Sequence, residues 1–240
     1  MQDFDMKKNL FNDSFFENNF LITGGAGFIG SNIVSYLINN NAKFVRVLDN
    51  LSTGDLNNIK EFLDCSNFEF IKGDIVDPST CEMAIKDINY ISHQAALGSV
   101  PRSISSPLET HKSNVTGFLN IIDSAKRCVS LKNFVYASSS SVYGDSPILP
   151  KIEGNEGEVL SPYAGSKQMN EIYANIFSKV YNFNSVGLRY FNVYGPKEYY
   201  KANTSSMVIQ LGHQILDGKA PRLFNNSNQI LRDFIYIDDV

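Results

Sequence analysis

The sequence predicts an α/β protein built on a doubly wound parallel sheet, and three observations carry that prediction. Short apolar runs alternate with longer amphipathic stretches from residue 20 to about residue 190. The connections between successive runs are long enough for a crossover helix, which parallel strands require. A glycine-rich turn stands between the first run and the first amphipathic stretch, where such a sheet presents backbone N–H groups to a phosphate.

Phe20-Leu21-Ile22-Thr23 reads as the first strand, and Phe28 to Ile38 as a helix with apolar residues at 29, 33, 34, 37 and 38. Phe44 to Leu48 is a second strand and Phe68 to Ile71 a third; Ile88 to Ser92, Phe134 to Ala137 and Val186 to Arg189 continue the series. Helices are expected near 55–63, 79–86, 107–127 and 162–180, the last with a core stripe through Ile172, Tyr173, Ile176, Phe177 and Val180. After Gly195-Pro196 the rhythm stops, and a helix at about 205–217, a short strand at 222–224 and the run Asp233 to Ile237 follow. The organisation read from this is an N-terminal arm (1–18), a nucleotide-binding domain (19–195) and the incomplete beginning of a smaller second domain (196–240). The arm mixes Asp, Lys and Asn without an apolar stretch, so it reads as a poorly ordered segment or short helix rather than a signal peptide.

Composition narrows the function. With 43% hydrophobic and 19% charged residues and a net charge of −4, the chain reads as soluble and globular, with no field that would favour nucleic acid or an anionic membrane. No window approaches the ~18 apolar residues of a membrane span. Cys65, Cys81 and Cys128 are scattered without metal-ligand spacing, as expected of reduced thiols in the cytoplasm. His93, His111 and His213 do not cluster with acids or cysteines, so no metal is assigned, and His93 reads as a packed or hydrogen-bonded residue.

The motifs are more specific. Gly24, Gly27 and Gly30 in TGGAGFIG give the GxxGxxG spacing of a dinucleotide-binding turn: a tight bend, close backbone approach to a pyrophosphate, and close helix-to-strand packing. Asp49 ends the second strand, 22 residues after Gly27, where a carboxylate accepts from ribose hydroxyls and repels a 2′-phosphate. That selects NAD over NADP. Asp74-Ile75 follows the third strand at the same sheet edge, where either an adenosine contact or a turn cap is open.

Four serines, Ser138 to Ser141, follow the buried run ending at Ala137. Tyr163 and Lys167 lie four residues apart and so share one helix face. A tyrosine titrates near ~10 and needs help to act as a base at neutral pH. A neighbouring ammonium and an oxidised nicotinamide would both favour the phenolate.

Together the glycine turn, Asp49, the serine-bearing strand end, YxxxK and the run Leu188 to Pro196 (LRYFNVYGP) resemble the extended short-chain dehydrogenases/reductases. The resemblance points to the NAD-dependent nucleotide-sugar epimerases and dehydratases. It covers about residues 20–240, and HQAALGSVPRS (93–103) looks most like the branch acting on UDP-N-acetylglucosamine or its uronic acid as 4-epimerases.

The resemblance implies a Rossmann-type nucleotide domain followed by part of a substrate domain. It implies that NAD is held by Gly24, Gly27, Phe28, Ile29, Gly30, Asp49, Asn50, Asp74, Ile75, Ala95, Asn114, Tyr163, Lys167 and Tyr190. Ser139, Tyr163 and Lys167 become the catalytic residues; Ser99, Arg102, Ser139, Ser140, Asn192 and Arg232 become contacts to a UDP-sugar. It also implies a homodimer formed through the helices at 107–127 and 162–180.

Dehydratases of this family usually carry an acid just before the Val-Tyr-Gly, whereas here Ser140 and Ser141 stand there. With Tyr163 as the one evident proton-transfer group, reversible oxidation at C4 is favoured over elimination. A 4,6-dehydratase is the alternative enzyme. The family's Gly-Asp-Gly turn is replaced by Asn226-Ser227-Asn228, and relatives continue past Val240, so a non-catalytic NAD-binding fragment is the alternative of another class.

Overall fold

The computed structural model describes residues 13–198, 205–223 and 231–240. Six parallel strands form its main sheet: β1 (Asn19–Thr23), β2 (Phe44–Asp49), β3 (Phe68–Lys72), β4 (Tyr90–His93), β5 (Asn133–Ser139) and β6 (Ser185–Tyr190). Their order is β3-β2-β1-β4-β5-β6, so the chain winds outward from β1 in both directions. The place where it reverses, between β1 and β4, is where a sheet of this kind opens a crevice for a ligand.

Alternating side chains of the central strands feed two cores. Phe20, Ile22, Val45 and Val47 pack with Val34 and Leu37 of α2 (Phe28–Asn39) on one face. Leu21, Leu48, Ile91 and Phe134 pack on the other against α3 (Pro78–Ile85), α6 (Gly117–Ala125) and α7 (Pro162–Tyr181). Phe118 and Phe134 are fully buried there, and truncating either to Ala costs about 3–5 kcal/mol. A short α1 (Asp13–Phe16) closes the bottom, with Phe15 edge-on to Phe20 at 5.1 Å between centroids.

Several elements differ from the sequence expectation. The helix expected at 55–63 is a pair of 3₁₀ turns, Leu56–Asn58 and Lys60–Phe62; Asp55 caps the first, and the Asn58 amide donates to Ala26 O. The fourth strand begins at Tyr90, because Ile88 still closes a turn onto Ile85 O. The helix expected over 107–127 is broken into α5 (Pro107–His111), a π turn (Lys112–Thr116) and α6, and an unforeseen α4 (Val100–Ser105) precedes it.

The stripe on α7 holds only in part: Phe177 is buried and Tyr173 packs against the core. Its buried residues are Ala164, Ser166, Lys167, Asn170, Ala174 and Phe177, whereas Ile172, Ile176 and Val180 face outward. Short and polar side chains fit the close approach of α7 to the strand ends, so the bulkier aliphatics lie on the far face. Beyond β6, β7 (Asn192–Tyr194) pairs in parallel with β8 (Phe234–Tyr236), and α8 (Met207–Leu216) lies between them in sequence. Residues 222 and 223 are irregular, and the rest of the strand expected at 222–224 and the turn at 226–228 lie outside the described residues.

Candidate active site

A cleft of about 590 Å³ opens at the C-terminal ends of β1, β2, β4 and β5. Its floor is the β1–α2 turn. Gly24 has φ +67°, and a Cβ there would lie 2.7 Å from Ala95 N; a Cβ on Gly30 would lie 2.2 Å from Gly24 O. The turn therefore has to be glycine for the backbone to close against β4. Gly27 caps α2 with no side-chain hydrogen bond, which leaves the first-turn N–H groups facing the cleft as a seat for a pyrophosphate.

The neighbouring strand ends are acidic. Asp49 Oδ2 accepts from Ala26 N at 3.0 Å and Oδ1 from Leu51 N at 2.8 Å, so the carboxylate fixes the glycine turn and keeps lone pairs for a ribose. Burial pushes its pKa up and these two hydrogen bonds pull it back. Asn50 donates to Asp74 Oδ2 at 2.9 Å, and Asp74 Oδ1 accepts from Val76 N. A dinucleotide with free ribose hydroxyls fits this end, and one with a 2′-phosphate does not.

The other end carries the hydroxyls. β5 ends at Ser139, whose Oγ caps a 3₁₀ turn (Ser140–Tyr143), accepting from Ser141 N at 3.2 Å and Ser141 Oγ at 2.9 Å. Ser139 also stands beside the Tyr163 phenol and favours its ionised form. Ser161 Oγ caps α7 by accepting from Ala164 N, Pro162 occupies the first turn, and Tyr163 is thus held at the open end of the helix. One turn on, Lys167 is buried and donates to Ala137 O at 2.7 Å.

Burial lowers the Lys167 pKa to about 8 and raises that of Tyr163; the group that pulls the phenol back down is Ser139. One of the Lys167 ammonium's three N–H groups is held by the strand carbonyl. His93 stacks 6.1 Å from the Phe134 ring, shares a 2.8 Å hydrogen bond with Thr23 Oγ1, and is driven to about 3 by burial and by Lys167. It is a packed neutral imidazole.

All residues expected to hold the cofactor line the cleft except Asn114. Asn114 sits behind it in the π turn: Oδ1 accepts from Leu97 N at 2.7 Å, and Nδ2 donates to Leu97 O and Ser166 Oγ, tying the β4–α4 loop to α7. Of the expected substrate contacts, Arg102 and Ser139 line the cleft. Ser99, Ser140, Asn192 and Arg232 are not brought to it: Ser99 caps α4, Ser140 opens the 3₁₀ turn, Asn192 donates to Asp233 O, and Arg232 is exposed.

The cleft adds residues the sequence did not single out, among them Gln94, Ser113 and the Ser52-Thr53-Gly54 loop. Gln94 donates to Ser92 Oγ and the Tyr190 hydroxyl, while its Oε1 is buried without a partner among the described residues. Their one signal was adjacency, since Gln94 precedes Ala95 and the loop follows Asp49-Asn50.

Comparison with known proteins agrees with this geometry. The family model "NAD dependent epimerase/dehydratase family" matches residues 20–240. A putative UDP-glucose 4-epimerase of Methanocaldococcus jannaschii is 38% identical over 92% of this chain and 70% of its own length. A UDP-glucose 4-epimerase of Mycolicibacterium smegmatis is 34% identical over the same shares. Among solved structures, a UDP-N-acetylglucosamine 4-epimerase from Methanobrevibacter ruminantium M1 in complex with UDP-N-acetylmuramic acid superposes with a TM-score of 0.86. It is 35% identical and is matched over 93% of this chain and 70% of that one. A glycine turn open for a pyrophosphate, an acid at the next strand end and a Ser-Tyr-Lys end, all within a chain this similar throughout, make it a member of the NAD-dependent epimerase/dehydratase family.

Proposed function

We propose that this chain epimerises a UDP-sugar at C4, the sugar being an N-acetylhexosamine or the corresponding uronic acid. One observation carries the choice of reaction. The carboxylates lining the cleft are Asp49 and Asp74, both at the ribose end, and among the described residues none lines it beside Tyr163. The nearby Glu156 and Glu171 are both taken by Arg189. Elimination of water needs a second acid/base group at the sugar, whereas oxidation and return need one.

The glycine turn, uncapped helix start and Asp49 fit NAD, which when bound supplies a hydride acceptor that also returns the hydride. This chain's residues do the rest. Tyr163 takes the 4-hydroxyl proton and gives it back to the same oxygen once the keto sugar has turned over its other face; Ser139 holds the oxygen and the phenol in one hydrogen-bonded group. Lys167 anchors the tyrosine's helix to β5 and places a positive charge beneath the site. Residues 196–240 supply part of the sugar side, and two copies pair through the outer faces of α5–α6 and α7, where Leu108, Ile172, Ile176 and Val180 are exposed.

The test is incubation with UDP-N-acetylglucosamine and, separately, UDP-N-acetylgalactosamine and their uronic acids, followed by chromatography. Interconversion of one pair supports the reading. No interconversion, or a product lighter by one water, overturns it, the latter in favour of a dehydratase.

A further inference from the structure

One guanidinium behind the cleft is tied to both halves of the reacting pair. Arg189 on β6 pairs in register with Ser138, the residue before Ser139. Its Nε and Nη2 donate to the two oxygens of Glu171 at 2.9 and 2.7 Å, a two-pronged ion pair, and its Nη1 bonds Glu156. Ser138 Oγ donates to the same Glu171 carboxylate. The Tyr143 ring lies 4.7 Å from the guanidinium carbon and covers it. Arg189, Glu171 and Glu156 are only 17%, 22% and 24% exposed, and none of the three lines the cleft.

The spacing along the chain gives this cluster a role. Glu156 lies seven residues before Tyr163, in the loop leading into α7, and Glu171 eight residues after it, on the helix face that also carries Tyr163 and Lys167. Arg189 therefore holds the chain on both sides of Tyr163, and through Glu171 and Ser138 it holds the strand end carrying Ser139. We propose that Arg189 is a positioning residue that keeps Ser139 and Tyr163 in hydrogen-bonding register without touching the substrate. This rests on the reading of those two residues as the reacting pair.

The test uses Arg189→Lys, which keeps the charge and loses the fork. Tyr163 is titrated with NAD bound, as the ultraviolet difference between each protein and its Tyr163→Phe counterpart. Lys167, Tyr190 and His93, the other titratable groups at that end, are unaltered by the substitution. Moving Ser139 away from the phenol removes the group that favours its ionised form and raises the Tyr163 midpoint. NAD affinity stays within about twofold, and kcat falls about tenfold or more with KM changed less than about threefold. An unmoved midpoint with NAD still bound overturns the proposal. If Arg189→Lys fails to fold, Glu156→Ala cuts the loop-side bond alone and shifts the midpoint upward by a smaller amount; no shift there overturns it equally. The titration needs no turnover, so failure of the wild-type protein to epimerise a UDP-sugar would remove the functional reading and still leave the positioning claim decidable.

Discussion

Ser139 serves two ends with one oxygen: it caps the 3₁₀ turn and it pulls the Tyr163 phenol back toward its ionised form. Ser139→Ala should therefore lower kcat about 10- to 100-fold, leave NAD affinity unchanged by calorimetry, and cost about 1 kcal/mol of stability for the lost cap. Full activity in that variant would mean that another serine holds the 4-hydroxyl. Ser139, Tyr163 and Lys167 were legible because their order and spacing form a pattern. Gln94 was not, because a lone glutamine has no pattern; it becomes visible once β4 brings it beside Tyr190. Arg102 and Arg232 read alike as substrate contacts, and only tertiary structure sends the first into the cleft and leaves the second exposed, while Arg189, read as a strand residue, enters an ion pair behind it.

At the scale of elements, the parallel strands were readable because a strand buried on both faces is a continuous apolar run. The helices were less so. The break at Lys112–Thr116 follows from long-range facts: Asn114 bonding the β4–α4 loop, and Gly117 packing so tightly that a Cβ would meet Ile75 at 2.6 Å. Of the α7 stripe, Tyr173 and Phe177 meet the core while Ile172, Ile176 and Val180 do not, because hydrophobic periodicity reports an apolar face without saying what covers it. Ile172 and Ile176 are 52% and 44% exposed. If α7 is a dimer face, Ile176→Glu should shift the molar mass measured by light scattering from two chains to one while leaving NAD binding intact. A wild-type protein already monomeric at high concentration contradicts the dimer.

The molecule as a whole is organised around β1, β4 and β5, and its buried imidazole gives it a pH dependence. His93 has a folded-state pKa of about 3 against an ordinary value of 6.5, so the folded protein binds fewer protons than the unfolded chain between those values. Its contribution is fully present above pH 6.5 and is lost as pH falls toward 3, about 2 kcal/mol of it by pH 5. Urea unfolding at pH 7 and pH 5 should show that loss, and His93→Gln should flatten it; an equal slope in the variant assigns the acid sensitivity to other groups. The central claim is reversible oxidation at C4 with one proton-transfer residue, and its most direct test is to run the reaction in deuterium oxide and analyse the sugar by NMR and mass spectrometry. The expected product is the C4 epimer with its original C4 hydrogen retained and no change in mass, because the same hydride returns from the cofactor. Deuterium at C4, or a product lighter by one water, would contradict it.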